Sequence, residues 1–159
     1  MAQDLKISKG SKSLSYETLI PQLIALTDGE TNLVANLANI SAALRQTFGW
    51  LWIGFYLNEG EELVLGPFQG DVACTRIGYN KGVCGKSWAD KQTVIVPNVE
   101  AFSGHIACSA LSQSEIVVPV IKNDVVRLVI DADSEELSKF DTIDQKYLEV
   151  LAQHIATLL

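Results

Sequence analysis

The chain has 159 residues, with 12 Lys+Arg against 19 Asp+Glu for a formal net charge of −7, and 48% of its residues are hydrophobic. That length suits one domain able to bury roughly 70% of its unfolded surface, so a core needs neither metal nor disulfide staples. The acidity argues against nucleic acid, whose affinity comes from neutralised phosphates, and the apolar runs fall far short of the roughly 20 residues a membrane helix needs.

Residues 1–14 carry Lys6, Lys9 and Lys12 against Asp4, with Ser and Gly between them and little to bury. They read as a flexible tail ahead of a domain over 15–159, and they lack the apolar stretch of a secretory signal. An odd count of three cysteines, with no such signal, favours the cytoplasm and free thiols over a disulfide framework.

From Ser15 the stripe Leu19, Ile20, Leu23, Ile24 and Leu26 predicts a helix, either starting near Thr18 or kinked at Pro21, and ended by Asp28-Gly29. Thr31 opens a second helix with Leu33, Val34, Leu37, Ile40, Leu44 and Phe48 on one face, and Gly49 stops it. Trp50–Leu57 and Leu63–Phe68 read as a hairpin about the turn 58–61. Residues 69–90 are Gly-rich and read mostly as loop, with a short helix near the end. Thr93–Val96 is a short strand, residues 98–113 a second long loop, and Glu115–Ile121 with Val125–Ala132 a second hairpin over Asn123-Asp124. Asp141 or Thr142 caps a last helix with Ile143, Tyr147, Val150, Leu151, His154 and Leu158 as its apolar face. Without regular β-α-β alternation, this order predicts an α+β fold: a mainly antiparallel sheet with helices on one face.

Alternation along the strands assigns the two faces. Leu51, Ile53, Phe55 and Leu57 share one side, joined by Ile116, Val118, Val120 and by Val126, Leu128, Ile130 and Ala132. Those aliphatic sets belong under the helices. The opposite side then gathers Trp50, Trp52, Tyr56, Glu115, Asp131 and Asp133, with only the two long loops to cover it. These loops carry Cys74, Cys84 and Cys108, so the expected feature is a pocket with an aromatic and acidic floor and a thiol-bearing lid.

Each group has a plainer reading when taken singly. Trp52 and Tyr56 suit a second core, Asp131 and Asp133 suit strand-end turns, and Cys74 and Cys84 suit small buried hydrophobes. His154 suits a packed helix face. Convergence on one face is what points to a site. Cys74, Cys84, His105 and Cys108 offer four donors to a metal, but without the tight cysteine spacing of structural zinc sites, and no metal is expected.

The segments WLWIGFYL, LVLGPFQG, ACTRI, GVCG, GHIAC, SEIVVPV and IDADS, taken in this order, resemble the free methionine-(R)-sulfoxide reductases, a family built on one GAF domain. The resemblance spans about residues 15–159. It implies a GAF-like α+β domain with a loop-covered ligand pocket on one sheet face. It implies Cys108 as the attacking thiol, Cys74 as its main resolving partner and Cys84 as a second participant. Trp52, Tyr56, Glu115, Asp131 and Asp133 match the substrate-binding positions, the set that alternation assembles independently. Leu128, preceded by Arg127, and Ala132 depart from the family pattern, with consequences expected for packing or pocket width.

The chemistry suits these groups. Sulfoxide sulfur becomes electrophilic when its oxygen accepts a proton, and crowded buried carboxyls hold one near neutral pH, with Glu115 the favoured acid. The thiol passes through a sulfenic acid to a disulfide. The resemblance implies free methionine-(R)-sulfoxide as the substrate. No bound cofactor is expected, and the reductant is thioredoxin, or dithiothreitol in vitro. A homodimer is compatible with this reading. The alternative is a non-catalytic GAF module sensing a small molecule or redox state.

Overall fold

The computed structural model describes residues 4–8, 10–106 and 108–159. Helix α1 (Lys12–Thr27) is capped by Ser11, whose side chain accepts from Leu14 N, and it runs through Pro21 instead of starting near it. Pro21 lies on the exposed side, where water can serve the carbonyl that proline leaves without an N–H partner. Helix α2 (Leu33–Phe48) is capped by Asn32 and stopped by Gly49 at a φ of 65°, a left-handed conformation that glycine adopts without strain.

Within the stretch 1–14 expected as a flexible tail, described residues 5–8 meet the domain. Helix α1 begins at Lys12, and Leu5 and Ile7 pack against the core. The Lys6 and Ser8 amides donate to Gln22 Oε1 and Thr18 Oγ1. Leu5 and Ile7, two residues apart, give this short segment something to bury, and Lys6 between them masks the pattern.

Strands β1 (Trp52–Asn58) and β2 (Glu62–Gln69) form the first hairpin. They are followed by β3 (Arg76–Gly78), helix α3 (Gly82–Asp90) and β4 (Val94–Val96). Strands β5 (Ser114–Lys122) and β6 (Val125–Ser134) form the second hairpin. Its turn residues Asn123 and Asp124 both have positive φ, 53° and 62°, the conformation whose twist matches a two-residue hairpin. All pairings are antiparallel, in the order β3-β2-β1-β6-β5-β4. Helix α4 (Thr142–Thr157) closes the domain. No helix among the described residues is long and apolar enough to cross a membrane.

Helices α1, α2 and α4 cover one face, where Leu19, Leu23, Leu37, Leu44, Leu148 and Leu151 meet Ile53, Phe55, Val118, Leu128 and Ile130 in a continuous apolar core. The other face is covered by α3 and the two loops, over a second cluster that includes Trp52, Tyr56, Val83, Cys84 and Trp88.

Three assignments of face change. Trp50 lies before β1 and turns to the helix side, stacked on Phe48 with ring centroids 4.7 Å apart; alternation does not extend past a strand's end. Val126 joins the loop-side cluster because the register shifts between Val120 and Ile121, and one extra residue exchanges the faces. On α4 the buried residues are Asp144, Leu148, Leu151, Ala152 and Ile155, while Ile143 and Val150 are exposed. Partners on α1 rotate that face inward. Asp144 accepts from Tyr16 Oη at 2.8 Å and from Lys12 Nζ at 2.5 Å, while also completing a capping box with Asp141. His154 is half-buried and lies 2.7 Å from Thr27 Oγ1 through Nε2.

Candidate active site

The registers of β1, β6 and β5 arrange the loop-side floor in rows. Trp52 is opposite Asp133, which is opposite Glu115; one step along, Gly54 is opposite Asp131. Gly54 is required by this packing. A Cβ there would stand 2.5 Å from the Trp52 ring and collide with Phe68 as well. The indole therefore leans across the bare position, stacked against Phe68 at 5.3 Å and Tyr56 at 6.0 Å between centroids.

The floor also holds its lid. Trp52 Nε1 donates to Asp71 O at 3.1 Å and Tyr56 Oη to Cys74 O at 2.9 Å, fixing the first loop over the aromatics. The second loop is held over the acids: Ser112 Oγ donates to Asp133 Oδ1 at 2.5 Å, and His105 Nε2 lies 3.4 Å from Glu115 Oε2. Cys74 and Cys108 join the two loops in a disulfide across 34 residues of sequence, with Cα atoms 5.4 Å apart. Beneath the loops are two cavities of about 20 and 30 Å³, both bounded by Cys108, Asp131 and Asp133. Each has room for about one water molecule.

Crowding dominates the electrostatics. Burial, followed by the neighbouring Asp133 charge, pushes Glu115 well above the ordinary carboxylate range. Asp131 is raised likewise by burial and by Glu115. Asp133 is also raised by burial, against the opposing Ser112 hydroxyl and His105. Three carboxyls so close together favour retention of a proton among them. Burial and the same acids push the Cys84 thiol and the Tyr56 phenol upward. Asp131 Oδ1 is buried without a hydrogen-bond partner among the described residues.

All eight candidate residues from the sequence thus lie on one face: Trp52, Tyr56, Glu115, Asp131 and Asp133 in the floor, Cys74 and Cys108 in the loops, and Cys84 buried beneath them on α3. The donor quartet Cys74, Cys84, His105 and Cys108 is not available together, because two of its thiols are bonded to each other. Sequence reasoning missed Ser112 as a partner of Asp133 and the pairing of His105 with Glu115. No local signal marks the serine. A bare Gly54 between two aromatics on one face does mark the indole's resting place. Leu128 and Ala132, which depart from the family pattern, are buried in the helix-side core and stay outside the pocket.

An antiparallel six-stranded sheet, helices behind it and a loop-covered pocket in front define the GAF class, and residues 30–159 match the GAF domain family. A Dictyostelium discoideum protein called GAF domain-containing protein A is 57% identical over 149 residues, covering 93% of this chain and 94% of its own. Free methionine-R-sulfoxide reductase of Saccharomyces cerevisiae is 44% identical over 158 residues, covering 91% of this chain and 88% of its own. The X-ray structure of free methionine-R-sulfoxide reductase from Neisseria meningitidis in complex with its substrate has a TM-score of 0.96 at 48% identity, covering 98% of this chain and 94% of that one. The chain belongs to the free methionine-R-sulfoxide reductases, oxidoreductases of the GAF domain family.

Proposed function

We propose that the chain reduces free L-methionine (R)-S-oxide to L-methionine, with Cys108 as the attacking thiol and Cys74 as the resolving one. The observation that carries this reading is the Cys74–Cys108 disulfide at the edge of a cavity floored by Trp52, Tyr56, Asp131 and Asp133. Cys84 is a poorer resolving partner: it is buried, and the acids around it oppose formation of its thiolate.

The Cys108 thiolate attacks the sulfoxide sulfur while a protonated carboxyl, Glu115 in this reading, gives its proton to the oxygen. The S–O bond and the sulfur–sulfur bond made by the attack both break as the oxygen passes to the Cys108 sulfur. Methionine thus leaves with its sulfur reduced by two electrons, and Cys108 is left as a sulfenic acid. The Cys74 thiol displaces that oxygen as water and forms the disulfide. Two electrons from a thioredoxin-type dithiol, at about −270 mV, restore both thiols. Carboxylates left ionised hold the substrate ammonium, and the Trp52 ring packs on the S-methyl group. A residue inside a peptide lacks that ammonium and cannot pass under a lid tied down at both loops.

Stopped turnover tests the assignment. Cys108→Ser is expected to reduce activity to background. Cys74→Ser is expected to release one equivalent of methionine per chain and then stall, with a sulfenic acid trapped by dimedone. Sustained turnover by Cys108→Ser would remove that residue from the chemistry. A stall in Cys84→Ser and not in Cys74→Ser would exchange the resolving roles.

A further inference from the structure

We propose that the inner end of this pocket is a binding site for a thiophilic divalent cation of the zinc type, held by Cys84, Glu115 and Asp131 with His105 as a fourth donor. The Cys84 sulfur and one carboxylate oxygen from each of Glu115 and Asp131 lie within 4.8 Å of one another, and all three residues are buried. His105 lies outside this close group of three and borders it, with its Nε2 3.4 Å from Glu115 Oε2. All four side chains border the cavity of about 30 Å³. Asp131 is 6% exposed and has one oxygen, Oδ1, without a hydrogen-bond partner among the described residues.

The donor types select the ion. Magnesium and calcium take oxygen ligands in sixfold or higher coordination, whereas one thiolate, one imidazole and two carboxylates form a four-donor set of the kind zinc accepts. Bonds of about 2.0–2.3 Å require the donors to move inward from their present spread, a side-chain adjustment around a small cavity. Each of the four arrives from a different segment: α3, the second loop, β5 and β6. Sequence spacing could not display the set, and it differs from the quartet the spacing offered. A bound dication would also relieve the repulsion among the buried acids. The disulfide form keeps the thiol donor, because the Cys74–Cys108 bond leaves Cys84 free.

One consequence rests on the proposed function. Glu115 and Asp131 cannot hold a dication and the substrate ammonium together, so the ion acts as a competitive inhibitor. Binding itself does not depend on that reading.

The test uses the full chain in its disulfide form, without thiol reductant. Zn²⁺ titration by calorimetry is expected to show one site per chain, unaffected by excess Mg²⁺, and Co²⁺ is expected to give a thiolate-to-metal charge-transfer band in the near ultraviolet. Cys84→Ser should abolish the band, and both it and Glu115→Gln should weaken Zn²⁺ by about tenfold or more, the least seen even for partners one shell further out. No binding at millimolar Zn²⁺, absence of the cobalt band in the unsubstituted chain, or equal affinity in Cys84→Ser overturns the site. Methionine sulfoxide should weaken Zn²⁺ binding. If it does not while the cobalt band is present, the cation site stands and the substrate assignment of Glu115 and Asp131 fails. Turnover without a metal site defeats this inference alone.

Discussion

Ile130 and Asp131 are neighbours on β6 and end in opposite environments. The isoleucine is fully buried in the helix-side core; the aspartate is almost as buried, on the loop side among Glu115, Asp133 and Cys84. The same strand therefore serves two kinds of interior. Under the helices, close-packed apolar side chains stabilise the fold and do little else. Under the loops, buried acids raise one another's proton affinity and oppose folding at neutral pH. A surface that is locally destabilising, yet completed by aromatic rings and tied-down loops, is the mark of a site whose charges await a partner.

The largest expected effect falls on the helix side. Ile130→Ala should cost about 2–5 kcal/mol in denaturant unfolding. It should leave kcat/KM nearly unchanged in whatever fraction remains folded. Loss of activity without loss of stability would blur the division between the faces.

The loop side should behave in the reverse way. Glu115→Gln, Asp131→Asn and Asp133→Asn should each lower kcat/KM, by about tenfold or more if one charge-assisted contact of about 1.5–3 kcal/mol is lost. The proton donor should lose kcat and an ammonium holder should mainly gain KM. Normal turnover by all three would make the acids structural.

Stability against pH sharpens the contrast further. Folded-state values raised by burial and neighbouring charge mean the native state keeps protons that the unfolded chain releases. Their stabilising effect is complete below the ordinary carboxylate range, near pH 4, and is lost as pH rises through the raised values. Urea midpoints should accordingly decline over that window, and Glu115→Gln should flatten the decline. Asp141 acts oppositely, its value lowered where Lys12 and two backbone amides hold its charge against modest burial, so the difference between variant and parent is the quantity to read.

Much of this division was legible in the strands. Alternation in β1, β5 and β6 collects the aromatics and acids on one side because every second residue must share a face. The failures have local causes. Three-residue β3 shows no period of its own and exists by pairing with β2. The inward face of α4 turns on a buried Asp144 whose partners, Lys12 and Tyr16, lie more than 120 residues away. Such a partner leaves no trace in the local pattern. Strand faces and lid loops bring Cys84 over Glu115 and Asp131, but the approach of its sulfur to within 4.8 Å of their oxygens was hidden for the same reason.

The smallest effect concerns Gly54. A methyl group there must displace Phe68 on β2 as well as the Trp52 ring, so Gly54→Ala should lower the urea midpoint. In the protein that stays folded it should raise KM severalfold more than it lowers kcat. Unchanged KM would show that the indole's position is unimportant to binding.

The most direct measurement is turnover of the separate R and S epimers of free methionine sulfoxide, alongside an N-acetylated peptide carrying the R sulfoxide, with dithiothreitol as reductant. Reduction of the free R epimer, with the S epimer and the peptide left at background, is the expected result. Comparable rates on the peptide, or no turnover of the free R epimer by reduced, folded protein, would contradict a covered pocket built for the free amino acid.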